Sequence, residues 1–178
     1  MAKSVMISIR PEWVQKILSG EKTVEVRKTA PKIATPFKCY IYCTQPKPGK
    51  SHQYDAFGLN GKPVECGGKV VGEFVCDRVF PIRVFNNGTI QDWNRNSLKN
   101  SCVPYDDIVM YIGNNCSGYG WHISDLKVYD NPEELNDFNQ CHKCELHDGC
   151  KQHEYSCAGD YKLKRPPQSW CYVEEHND

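Results

Sequence analysis

Residues 3–28 constrain the fold most tightly, because a strand, a helix and a second strand follow one another there with almost no loop between them. VMISI is an apolar run suited to a buried strand. Pro11 then stands at a first helical turn, where its missing N–H leaves no bond unmade. Trp13, Val14, Ile17 and Leu18 recur at helical spacing on one face, and Trp13 is expected to anchor the core. Gly20 ends the helix, since it takes a left-handed backbone freely. The stretch GEKTVEVRK, residues 20–28, follows, with the cations Lys22, Arg27 and Lys28 and the carboxylates Glu21 and Glu25, and its KTVEVR part (residues 22–27) reads as a strand. Alternation sends Lys22, Val24 and Val26 to one face and Thr23, Glu25 and Arg27 to the other. Glu25 and Arg27 then stand about 7 Å apart, two strand steps. Lys22 sits at the strand entry, where alternation binds least, and its long side chain can reach either face. Taken alone, the pattern also describes a solvated strand with weak surface ion pairs.

Further along, FKCYIYCT (residues 37–44) alternates as a barrel strand, with Cys39 and Cys43 on an apolar face as small buried hydrophobes. Residues 45–68 gather Pro, Gly, Lys and His and read as a loop insertion. KVVGEFVCDRVFPIRV (residues 69–84) reads as a long strand or bent hairpin with Gly72 at a bulge, and Glu73 faces either the exterior or a cleft. Tyr105–Ile112 reads as a short helix with Ile108, Val109 and Ile112 inward, and residues 119–129 return to strand alternation. Pro132, Glu133 and Glu134 resemble a helix start, and residues 173–175 close the last strand. Many strands and few helices in this order point to an α+β chain built on a small mixed barrel, a single domain over residues 1–178.

No apolar run approaches the roughly 18 residues of a spanning helix, mean hydropathy is −0.64, and the N-terminus has no signal-peptide core, so a cytoplasmic protein is expected. Zero net charge hides an asymmetry: residues 1–50 carry ten Lys/Arg against three Asp/Glu, +7, and the remainder carries −7. A cationic first third suits a phosphate-bearing ligand, although a solvated basic face gives the same count.

Eleven cysteines in a chain expected to meet a reducing compartment do not read as a disulfide framework. Cys141 and Cys144 form a C-x₂-C knuckle, followed by Cys150 and Cys157, within a Cys-rich insertion at about residues 140–158. Four thiolates can close a tetrahedral structural Zn²⁺ site, and a segment this poor in apolar residues would draw its folding energy from the metal. An iron–sulfur cluster is the alternative.

The signature G-x-K-x-x-E-x-R, carried by Gly20, Lys22, Glu25 and Arg27, resembles that of the ASCH family, relatives of the PUA RNA-binding fold. GYGWHISDLKVYDNPEEL (residues 118–135) and RPPQSWCYVEE (residues 165–175) also resemble bacterial and phage ASCH-like proteins. The resemblance covers both ends of the chain and implies a PUA-like fold whose signature lies in a cleft receiving RNA or a nucleobase. It also implies a structural role for the Cys-rich insertion. On this reading Lys22, Arg27 and Lys28 bind phosphate, with Arg165 adding capacity. Glu25 orients Arg27 or accepts from a base amine, while Gln168 and Ser169, held by Pro166 and Pro167, read a base edge. Trp121 or Trp170 would stack a base, with His122 beside them; each Trp equally fits a buried core position, and His122 a satisfied strand histidine. Some ASCH proteins resemble amidohydrolases acting on an acylated cytidine; here Lys22 and Glu25 would be the acid–base pair, but Glu25 stands where those enzymes carry a Thr nucleophile. A protein-interaction module is a third possibility.

Overall fold

A computed structural model describes residues 3–45, 55–57, 63–91, 98–141 and 161–175. The opening unit forms as its pattern requires: β1 (Lys3–Ile9), α1 (Pro11–Leu18) and β2 (Val24–Arg27). Ser19 and Gly20 return their N–H groups to Gln15 O and Ile17 O, and Gly20 takes φ +79°, the turn that aims the chain into β2. Then come β3 (Phe37–Cys43), β4 (Asp55–Phe57), β5 (Pro63–Glu65), β6 (Lys69–Cys76), β7 (Val79–Val84) and β8 (Ile90–Gln91). After α2 (Tyr105–Ile112) the chain closes with β9 (Ser117–His122), β10 (Ser124–Glu134) and β11 (Trp170–Glu174).

The fold is α+β. Five strands in the order β10-β6-β3-β1-β11 make one sheet, four in the order β2-β9-β7-β8 make another, and β4 pairs with β5. The first sheet is mixed, because β1 runs parallel to β3 and antiparallel to β11. One core joins both sheets and α1, from Val5 and Ile7 through Val14 and Ile17 to Phe74 and Trp121. A second core lies under α2, where Ile108 and Ile112 meet Val24, Val26 and Ile82.

Several expectations change. Residues 69–84 are not a hairpin: β6 and β7 do not pair with each other, and the chain passes from one sheet to the other between them. The bulge is real, since Ile41 pairs with Gly72 and Tyr42 with Val70, skipping Val71. Pro132, Glu133 and Glu134 do not start a helix. β10 runs through them, Glu133 and Glu134 face Val70 and Lys69 on β6, and Lys69 and Glu134 form an ion pair. Only a 3₁₀ turn, Leu135–Asp137, follows. Cys39 and Cys43 are buried as expected, but Tyr40 and Tyr42 on the other face of β3 are buried too. Phe138, Leu163 and Val173 cover that second face. The 45–68 insertion contains the β4–β5 ladder. Among the described residues no helix is long and apolar enough to cross a membrane.

Candidate functional site

β2 is shorter than the signature. Lys22 and Thr23 precede it, held by Lys22 N–H to Lys16 O and by Thr23 N–H to Asn100 O. Because Lys22 lies outside the ladder, strand alternation does not govern it, and its ammonium turns to the side of Glu25. That ammonium is 1% exposed and meets three acceptors: Val24 O at 2.8 Å, Ser101 O at 2.7 Å and Glu25 Oε2 at 3.1 Å. Three N–H groups therefore have three partners. Ser101 O is itself fixed, since Ser101 Oγ donates to Leu98 O at 2.6 Å and accepts from Val103 N at 3.2 Å. Trp13 lies against the same ammonium, 5.3 Å from ring centre to Nζ.

Glu25 joins the two cations. Its Oε1 lies 2.9 Å from Arg27 Nε, an ion contact in which that N–H makes no hydrogen bond. Arg27 donates through one terminal nitrogen to Ser8 O at 2.7 Å and turns the other to Ser169, 3.3 Å from Oγ and 3.4 Å from O. Ser8 holds the same distant segment: its Oγ donates to Pro167 O at 2.6 Å and its N–H to Ser169 O at 3.0 Å. A buried charge is costly unless paired and hydrogen-bonded, and in this Lys–Glu–Arg chain every charge is paired, with the Nε–H of Arg27 alone left without a hydrogen bond among these cationic donors.

The three side chains line a cleft of about 880 Å³. Pro166, Pro167, Gln168 and Ser169 form one wall, while Asp107, Met110 and Tyr111 of α2 contribute another. Trp13, Arg10 and Thr44 also line it. Among the expected site residues, the structure thus brings Lys22, Glu25, Arg27, Gln168 and Ser169 together. Lys28 is exposed, with its ammonium 5.3 Å from the centre of the Tyr111 ring.

Trp121, His122, Arg165 and Trp170 do not line the cleft. Trp121 is fully buried, edge-on to Phe37 and Trp170 at 5.9 Å each, so no ring face is open for a base. Trp170 is held by Nε1–H to Thr29 Oγ1 at 2.9 Å and packs on Tyr172. The His122 ring pairs with Asp77 at 2.6 Å. Glu73 answers its open alternative away from the cleft, contacting Lys38 and accepting from Tyr129 Oη. The aromatic lining comes instead from Trp13, expected as a core anchor, and Tyr111. Trp13 does both jobs: half-buried, it packs on the core and lines the cleft. The Lys22 spacing beyond the helix stop was the available signal for that contact.

Of the expected metal ligands, Cys141 is half-buried, and burial raises its thiol pKa. Cys144, Cys150 and Cys157 lie outside the described residues. Among the described residues no three His, Cys, Asp or Glu side chains cluster as a metal site.

Comparison with solved structures places the architecture. The crystal structure of ASCH from Zymomonas mobilis aligns with a TM-score of 0.58 over 97% of this chain and 88% of that one, at 19% identity. The fold is ASCH-like. A tyrosine-to-phenylalanine mutant of that Zymomonas mobilis protein aligns at 0.59 and 18% identity, covering 98% of this chain and 92% of that one. A serine-to-alanine mutant gives 0.59 and 18%, over 97% and 89%. No protein-family model and no curated protein matches the sequence. In this ASCH-like fold the signature residues share a concave site, fed by chain segments from both ends.

Proposed function

We propose that the cleft recognises a nucleotide, free or within single-stranded RNA. The observation that carries this reading is the meeting of aromatic and polar side chains in one concavity: Trp13 and Tyr111 line the same cleft as Glu25, Arg27 and Gln168. Single-stranded nucleic acid is bound by stacking unpaired bases on aromatic or guanidinium faces and hydrogen-bonding their edges. A cleft of this size, apolar with a few convergent polar groups, is the ordinary form of a small-ligand site.

The phosphate role passes from Lys22 and Arg27 to Arg10, and Lys28 keeps it. Lys22 spends its protons on Val24 O, Ser101 O and Glu25, and the shortest hydrogen bond of Arg27 goes to Ser8 O. Arg10 is an exposed cation in the lining, paired with Glu12 only at 3.9 Å, and Lys28 stands exposed beside Tyr111. These two are free to meet a backbone phosphate on either side of a bound base. Recognition is better supported than hydrolysis, because a catalytic Lys22 would have to release a proton that three acceptors hold. The Cys-rich segment, as a structural Zn²⁺ knuckle, would brace the chain just before the Pro166–Ser169 wall.

The test is titration with short single-stranded RNA at several salt concentrations. Two phosphate contacts give a slope of log K against log salt near −1.4, about a sevenfold loss of affinity from 50 to 200 mM. Arg10→Ala and Lys28→Ala should each reduce that slope by about half. No binding to any RNA or nucleotide, together with a stable protein complex in a pull-down, would replace this reading with a protein-interaction role.

A further inference from the structure

We infer that Glu25 makes the cleft selective for nucleobases bearing an exocyclic amine, which would donate N–H to its carboxylate; this rests on the nucleotide reading above. The argument begins with hydrogen-bonding capacity. An ionised carboxylate only accepts, at about four lone-pair positions on two oxygens. Glu25 Oε2 takes the Lys22 ammonium, and Oε1 faces Arg27 Nε without a hydrogen bond. Acceptor positions therefore remain on a carboxylate at the cleft floor, while the neighbouring ammonium has no proton to offer.

The two cations serve a different purpose from ligand contact. One contacts each carboxylate oxygen, which holds the Glu25 plane in one orientation with its side chain 9% exposed. The α2 wall repeats the preference, because Asp107 is a second, exposed carboxylate in the same lining. The amine of cytosine, adenine or guanine would meet a fixed acceptor, and Gln168 in the same lining carries an amide able to complete the base edge. Trp13 would hold the plane of the ring.

The selectivity follows from what the wrong ligand leaves undone. Hydrogen bonds to charged groups are worth more than neutral ones, and a buried acceptor covered by a ligand that cannot donate loses its water without replacement. Removing the amine should therefore weaken binding by about 10- to 150-fold.

The experiment is calorimetric titration of the full chain with three matched pairs: cytidine against its 4-deaminated analogue, adenosine against purine riboside, and guanosine against inosine. The expected result is that at least one amine-bearing nucleoside binds and its partner binds ten-fold or more weakly. Measurable binding of the nucleosides with every pair agreeing within threefold would overturn the amine selectivity and leave nucleotide recognition standing. No binding by any member, or by single-stranded RNA, would overturn both. Glu25→Gln, checked for a native circular dichroism spectrum, should compress the preference to threefold or less. The wild-type series decides the matter if that variant does not fold.

Discussion

Lys22→Met tests the internal ion chain directly. The substitution keeps the length of the side chain and removes the ammonium from a position that is 1% exposed. Val24 O and Ser101 O each lose a donor at 2.7–2.8 Å, and Glu25 loses the partner of Oε2. Breaking a buried ion pair from one side costs about 3–5 kcal/mol, because the remaining charge stays buried. The stranded carbonyls act in the same direction, but these costs overlap and should not be added. For a chain of 178 residues the expected loss lowers the thermal midpoint by about 6–20 °C. Urea denaturation of wild type, Lys22→Met and the exposed control Lys28→Met measures it. The control should stay within about 0.5 kcal/mol. A Lys22→Met midpoint indistinguishable from that of Lys28→Met, with unchanged slope, would refute the claim that this lysine is structurally bound rather than available. Combining it with Glu25→Gln should give a smaller loss than the two single changes predict, since removing both charges leaves less uncompensated.

Trp13→Ala should weaken nucleotide binding by roughly 1–3 kcal/mol, with Trp13→Phe retaining part of the affinity, as measured by the same calorimetry. Stability should fall as pH rises above the unfolded thiol range. Burial holds the Cys39 thiol well above its ordinary pKa and pushes Cys76 up to about 12, and the neighbouring Cys66 sulfur and then burial raise Cys43. The folded state keeps these protons while the unfolded chain releases them, so each thiol removes about 1.4 kcal/mol per pH unit between pH 9 and its folded value. Cys76→Ala should flatten that decline by one such slope in denaturation curves recorded from pH 8 to 10.5. Gly72→Ala should destabilise by at least 1–3 kcal/mol in urea melts, because its new Cβ would come within 2.5 Å of Lys127 O, a backbone atom that cannot rotate away.

The readable parts of this chain were those where local pattern and local structure coincide. Gly20 stops α1, the alternation of β3 buries Cys39 and Cys43, and the inward face of α2 carries Ile108 and Ile112. Glu25 and Arg27 share a face as alternation implied, and Lys22 joins them only because it lies outside β2. What stayed hidden depended on partners far along the chain. The carbonyls of Ser8 and Ser101 have no sequence signature, yet they take the main donors of Arg27 and Lys22. Trp13 fits a core helix by spacing, and only the position of Lys22 over its ring and the opening beside it give it a second role. Of the two readings open to Trp121, stacking or core, the structure takes the core: β9 lies between β2 and β7, and the ring packs into the core that joins both sheets. Pro132 looked like a helix start because its two following acids suit a helix dipole equally well as they suit pairing beside Lys69.

The contact of Ser8 and Arg27 with the Pro166–Ser169 wall reaches across 142 residues or more. Synthesis must therefore pass Ser169 before the hollow has its second side, and an N-terminal fragment, however well folded, would present only half a receptacle. On the proposed reading, a bound nucleotide would bridge the opening strand–helix–strand unit and the Pro166–Ser169 segment, and so protect both against proteolysis.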